Sequence, residues 1–152
     1  MMHKFNYWSP TEVVFGKGRE AETAAYVKKY GGTKVLLVYG GGSVERSGLL
    51  QRVKEQLDAA GISHAEFGGV QPNPTVEYAR EGVQRAIESQ ADFILAVGGG
   101  SAIDTAKGIA HGAANPDVDI WKFWAREEEV TRSLPVGVIL TISAAGSETS
   151  AS

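Results

Sequence analysis

The stretch Val97-Gly98-Gly99-Gly100-Ser101-Ala102-Ile103-Asp104-Thr105-Ala106-Lys107 constrains this chain more than any other. The apolar run Phe93 to Val97 enters it, and a helical pattern, Ala102 to Ala114, leaves it. Glycines between a buried strand and a helix permit unusual dihedrals and close backbone approach. The exposed N–H groups at such a helix start offer a seat for an anion, most often a phosphate. Ser101 is placed to cap the helix and to add a hydroxyl donor. Asp104 is expected in the first helical turn, where negative charge suits the dipole. The plainer alternative is a tight strand–helix turn with good caps. Against it, successive glycines carry an entropic cost that a simple turn does not require.

The rest of the chain repeats this alternation. Glu12 to Gly16 reads as a short strand ending in a Gly-Lys-Gly turn. Glu20 to Tyr30 reads as a helix with Ala21, Ala24, Ala25 and Val27 on its apolar side, stopped by Gly31-Gly32. Lys34 to Tyr39 is continuously apolar at its centre, the pattern of a parallel strand covered on both faces. It runs straight into Gly40-Gly41-Gly42-Ser43. Leu49 to Ala60 has Leu50, Val53 and Leu57 at core spacing, with Gly61 as C-cap. Ile62 to Phe67 is a shorter strand, followed by Gly68-Gly69 and a rigid Pro72-Asn73-Pro74 loop. Thr75 is placed to cap a helix running to about Gln90, with Val76, Ala79, Val83, Ala86 and Ile87 inward. Asn115-Pro116-Asp117 ends the helix that leaves the central turn. Ile120-Trp121-Lys122-Phe123-Trp124 suggests a short aromatic helix under a loop, Glu127 to Arg132 a charged surface, and Leu134 to Ile142 a last strand.

This order predicts an α/β, Rossmann-like fold: an open, mostly parallel sheet with helices on both faces. A chain of 152 residues, 43% of them hydrophobic, is one domain with a sizeable core. Ligands in such sheets bind outside the carboxyl ends of the strands. Those ends carry Gly40 to Ser43, Pro72-Asn73-Pro74, Gly98 to Ser101 and Thr141 to Ser143. Two Gly-Gly-Gly-Ser turns after two apolar strands suggest a long, phosphate-bearing ligand such as a dinucleotide. Neither turn is the G-x-G-x-x-G fingerprint or a P-loop.

Several other classes are disfavoured. A net charge of -3 without a long basic run argues against nucleic acid as a partner. The absence of cysteine removes disulfides and thiolate metal sites. No stretch is long enough to span a bilayer and Met1 to Pro10 lacks a signal core, so no membrane partner is expected and a cytoplasmic location is the default. The three histidines, His3, His64 and His111, lack the i, i+3 or i, i+4 pairing of a helical metal site. No nucleophile-elbow motif is present. Glu148 reads as a cap on the Gly146-Ser147 turn rather than as a general acid.

At the motif level the sequence resembles the N-terminal domain of the iron-containing (group III) alcohol dehydrogenases, in the NADPH-dependent butanol dehydrogenase or aldehyde reductase branch. The matching pieces are Phe15 to Gly18, Tyr39 to Ser43, Phe67 to Pro74, Gly98 to Lys107, and Leu140-Thr141 with Gly146 to Glu148. They run in order over nearly the whole chain. The fold implied is the dehydroquinate synthase-like N-terminal domain, here residues 1–152.

The resemblance implies roles residue by residue. Gly98, Gly99, Gly100 and Ser101 would hold the pyrophosphate, and Asp104 would lie near the nicotinamide. Asn73 would contact the adenosine side, while Thr141 and Ser143 would flank the adenine or ribose. Gly41, Gly42 and Ser43 stand where the family selects its cofactor. NAD branches place an Asp there, which repels a 2′-phosphate; here glycines and Ser43 leave room and donors, with Arg46 nearby. NADP(H) is therefore preferred over NAD(H). The reaction implied is hydride transfer between NADPH and a small-molecule aldehyde or primary alcohol.

The family's iron or zinc is held by an Asp and three His of a C-terminal helical domain, which this chain is expected to lack, as a truncated product would. The chain alone is then expected to be inactive. The alternative is a truncated, non-catalytic nucleotide-binding module. A homodimer through the first strand is implied for the parent, and Trp121, Phe123 and Trp124 are placed to face the missing domain. Ser150 departs from the Asn that relatives often carry there.

Overall fold

A computed structural model describes residues 11–14, 22–41, 48–71, 75–116 and 133–140. Its elements alternate: β1 (Thr11–Val14), α1 (Thr23–Lys29), β2 (Lys34–Tyr39), α2 (Leu49–Ala59), β3 (Ser63–Phe67), α3 (Val76–Glu88), β4 (Phe93–Gly98), α4 (Gly100–Ala114) and β5 (Val136–Leu140). The strands form one sheet in the order β1-β5-β4-β2-β3. Every pairing is parallel. The α/β fold with a Rossmann-like parallel sheet is as the sequence predicts.

The apolar runs mark the middle of the sheet. Leu36, Leu37, Val38, Ile94, Ala96 and Val97 are completely buried, because helices cover both faces. Alternate residues feed two cores. Val35, Leu37 and Tyr39 of β2, with Phe93, Leu95 and Val97 of β4, pack against Val27 of α1 and Leu50, Val53 and Leu57 of α2. Leu36, Val38, Ile94 and Ala96 face the other way, against Ala86 of α3 and Ile103, Ala106 and Ile109 of α4.

Three helices end in the same way. In α1, α2 and α3 the residues Gly31, Gly61 and Gln90 take left-handed conformations, with φ of 81°, 77° and 58°. The following residues Gly32, Ile62 and Ala91 donate their N–H groups back to Val27, Leu57 and Ala86, each at 2.9 Å. These are Schellman motifs. Gly61 thus sits one residue beyond the C-cap, Ala60. Ile62 belongs to that cap and β3 starts at Ser63. Thr75 caps α3 as expected, its hydroxyl accepting from the Tyr78 N–H at 3.0 Å.

Other expectations are corrected. Ile87 is exposed, at 40%, rather than inward. The inner face of α3 runs through Ala79, Gly82 and Ala86, and Ile87 lies about 100° round the helix from Ala86. In α1 the buried pair is Thr23 and Val27, one turn apart, so Ala25 points to solvent. The last strand starts later than expected: Leu134 instead gives its N–H to the Ala110 carbonyl at 3.2 Å, tying the segment to α4 before β5 begins at Val136. Phe15, Gly16 and residues 120–132 lie outside the described residues.

Candidate functional site

The sheet order creates the site. From β2 the chain leaves through α2 to β3 on one side; from β4 it leaves through α4 to β5 on the other. β2 and β4 are neighbours, with Tyr39 opposite Val97. Two adjacent strands whose following loops diverge leave a crevice at their carboxyl ends, where ligands of such sheets bind. The two glycine turns therefore flank one switch point, and Gly40-Gly41 stands beside Gly98-Gly99.

The turn after β4 is built for close approach. Gly98 has φ +140°, which side chains rarely adopt. Gly99 is extended, with φ −116° and ψ −156°, and is the N-cap of α4. A Cβ built on Gly99 would have nothing within 4 Å, so that flank of the turn is open. Among the described residues no side chain caps the first turn of α4. The N–H groups there are available to an outside acceptor.

Two details differ from the sequence expectation. The Gly99 carbonyl accepts from the Ile103 N–H at 3.1 Å, so the helical ladder starts two residues before Ala102. Ser101 is then inside the first turn, half-buried, and is not the cap. Asp104 is the fifth helical residue, exposed and past the first turn. Gly42, Ser43, Asn73, Thr141, Ser143 and Glu148 lie outside the described residues. Of the expected site residues, the structure brings together Gly41, Gly98, Gly99, Gly100 and Ser101 at one end of the sheet.

Sequence reasoning missed the residues that fasten the β2 turn. Gly69 gives its N–H to the Gly40 carbonyl and Val70 gives its own to Tyr39, both at 3.1 Å. The Tyr39 ring occupies the space a side chain on Gly68 would need. Its hydroxyl donates to Glu66 at 2.9 Å. Glu66 also pairs with Lys54 at 2.6 Å. The Lys54 bond, strengthened by Tyr39 and opposed by burial, holds the Glu66 carboxyl below its ordinary range. The Tyr78 hydroxyl donates to the Gly68 carbonyl. These partners are far apart in the chain, and only the Gly68-Gly69 pair hinted at a close approach.

Elsewhere, His64 binds Asp58 at 2.9 Å. Burial, followed by the nearby Lys107, pushes the His111 imidazole below its ordinary value. Among the described residues no group of three or more His, Cys, Asp or Glu could hold a metal ion. No helix among them is long and apolar enough to cross a membrane. An apolar recess lies between α1 and the sheet, lined by Val27, Tyr30, Phe93 and Leu95 with Gly137 to Ile139 of β5.

The family model for iron-containing alcohol dehydrogenase matches residues 10–152. The chain belongs to the iron-containing alcohol dehydrogenase family. It is 47% identical over 147 residues to a probable NADH-dependent butanol dehydrogenase 1 of Bacillus subtilis (strain 168), covering 97% of this chain and 38% of that protein. It is 39% identical over 152 residues to the NADPH-dependent aldehyde reductase YqhD of Escherichia coli (strain K12), covering 99% of this chain and 38% of the relative. Among solved structures it matches the NADH-dependent butanol dehydrogenase A of Thermotoga maritima with a TM-score of 0.83 and 38% identity, over 95% of this chain and 36% of that one. The chain thus spans less than two-fifths of the length of these family members. Their names include both nicotinamide cofactors.

Proposed function

We propose that this chain is the dinucleotide-binding part of an NAD(P)H-dependent alcohol dehydrogenase or aldehyde reductase, with NADP(H) preferred. The observation that carries this is the uncapped start of α4 beside the open flank of Gly99, at the switch point between β2 and β4. The donor set fits a pyrophosphate: backbone N–H groups from Gly100 and Ser101, the Ser101 hydroxyl, and no Cβ to hold the ligand off. The nicotinamide, when bound, supplies or accepts the hydride. Asp104 sits further along the same helix and would mark the nicotinamide end. The adenosine end would rest on Gly41, Gly42 and Ser43, with Asn73, Thr141 and Ser143 around it.

The preference for NADP(H) rests on the sequence Gly40-Gly41-Gly42-Ser43 after β2, which holds no Asp to oppose a 2′-phosphate. Iron or zinc would be held by residues outside this chain. The part played by this chain would be binding and orienting the cofactor. The substrate would be a small aldehyde or primary alcohol. The whole enzyme would be a cytoplasmic homodimer with a second, helical domain carrying the metal.

Calorimetric titration with NADPH and then NADH, with and without zinc or iron, tests this. Saturable NADPH binding without metal dependence, tighter than NADH binding, is the expected result. Tighter NADH binding overturns the cofactor preference, and no binding of either nucleotide overturns the site.

A further inference from the structure

Tyr78 lies on α3, outside every glycine turn, yet it bonds to both Gly68 and Thr75. Its backbone N–H donates to the Thr75 hydroxyl at 3.0 Å, at the helix start. Its side-chain hydroxyl donates to the Gly68 carbonyl. The chain after β3 continues the ladder past the last β2–β3 pair, Val38 opposite Phe67. There Gly69 and Val70 bind the carbonyls of Gly40 and Tyr39. Gly69 takes φ +80°, so the turn is shaped rather than slack.

We propose that Tyr78 is a positioning residue for the cofactor: its hydroxyl braces the Gly68–Val70 turn against Gly40, and so seats the glycine turn that receives the adenosine end. The proposal rests on the reading of the site given above. The hydroxyl is not needed to fill space. The Tyr78 ring already packs on Phe67, with centroids 4.6 Å apart, and a phenylalanine would do the same. Burial, with Glu81 adding to it, pushes the Tyr78 phenol above its ordinary value, so it stays a protonated donor through the physiological range. Removing it leaves the Gly68 carbonyl without that donor and loosens the turn that holds Gly40.

The test is Tyr78→Phe on this chain, titrated with NADPH, with adenosine 2′-monophosphate and with nicotinamide mononucleotide, alongside thermal unfolding. The expected result is about five- to tenfold weaker binding of NADPH and of adenosine 2′-monophosphate, because binding must then order a loosened turn. Nicotinamide mononucleotide binding should stay close to wild type, and Tm should fall only by the few degrees that one internal hydrogen bond is worth. Unchanged NADPH affinity overturns the proposal. So does equal weakening of both half-ligands, which would mean general loosening of the fold. Wild-type protein that binds neither dinucleotide overturns the reading of the site itself, and that result is visible before any variant is made.

Discussion

Ile109 of α4 fills the space that a side chain on Gly82 of α3 would need. The two helices approach closely because each offers a glycine: Gly82 receives Ile109, and Gly112 receives Val83. This contact sets how α4, and with it the Gly98–Ser101 turn, lies on the sheet. An alanine in an exposed helix interior gains about 1 kcal/mol over glycine. At Gly82 overpacking outweighs that, at about 1–3 kcal/mol. Gly82→Ala should therefore lower stability by about 1–2 kcal/mol, read as a lower urea midpoint. Adding Ile109→Val, which deletes the methyl nearest the new Cβ, should recover part of the loss. A raised midpoint for Gly82→Ala alone would contradict the packing.

Asp92 fastens the amino ends of β2 and β4. Its carboxylate accepts from the N–H groups of Thr33 and Lys34, each at 2.9 Å, and from the Thr33 hydroxyl at 2.5 Å. Burial would raise the Asp92 pKa, but those bonds together outweigh it and hold the carboxyl below its ordinary value. A carboxyl depressed in the fold contributes stability that is complete above its unfolded pKa, about 3.9, and is lost as pH falls through the folded value. Asp92→Asn should cost about 1 kcal/mol at pH 7, kept small because the site is partly open to water. The gap between wild type and variant should be constant from pH 5.5 to 7 and shrink below about pH 4. Urea midpoints across that range check this; a gap that widens in acid would refute it.

Gln90 performs at the end of α3 the duty that glycine performs at the ends of α1 and α2. A left-handed residue with a Cβ is strained by about 1 kcal/mol. Gln90→Gly should therefore raise stability by about 0.5–1 kcal/mol, although it gives up an exposed hydrogen bond to the Lys34 amine. Gly61→Ala, the reverse change at the matching position, should lower it by about 1 kcal/mol. Paired thermal melts of the two variants decide the matter.

Much of this fold was legible because period and punctuation agreed. Leu36 and Ile94 lie within apolar runs, and both proved to be sheet centre. Thr75 announced a cap and made one. Ile87 misled because a helix's apolar stripe is wider than its buried face when the neighbour packs against glycines. Ser101 misled because Gly99 can start a helix without a side chain, moving the boundary back two residues. At the site, the glycine turns were legible as local pattern, whereas the bonds that seat them were not. Tyr39, Glu66, Gly68 and Tyr78 meet only through the β2–β3 pairing and the packing of α3.

Gly98 and Gly99 stand side by side in the central turn but answer to different demands, and substitution should separate them. Gly98 is required by its own backbone, since φ +140° strains any side chain. Gly98→Ala should lower stability by about 1–3 kcal/mol. Gly99 has ordinary extended dihedrals and open space where its Cβ would go, so Gly99→Ala should leave Tm nearly unchanged. If that space receives a pyrophosphate, the new methyl group stands in the ligand's path and holds it away from the first N–H groups of α4. NADPH binding by Gly99→Ala should then weaken by about tenfold or more, the worth of one or two charge-assisted hydrogen bonds. Calorimetry and thermal melts on the two variants give four numbers, and the proposed site requires the affinity loss of Gly99→Ala to come without a stability loss. A Gly99→Ala protein that binds NADPH as well as wild type would place the phosphates elsewhere, whatever the fate of Gly98→Ala.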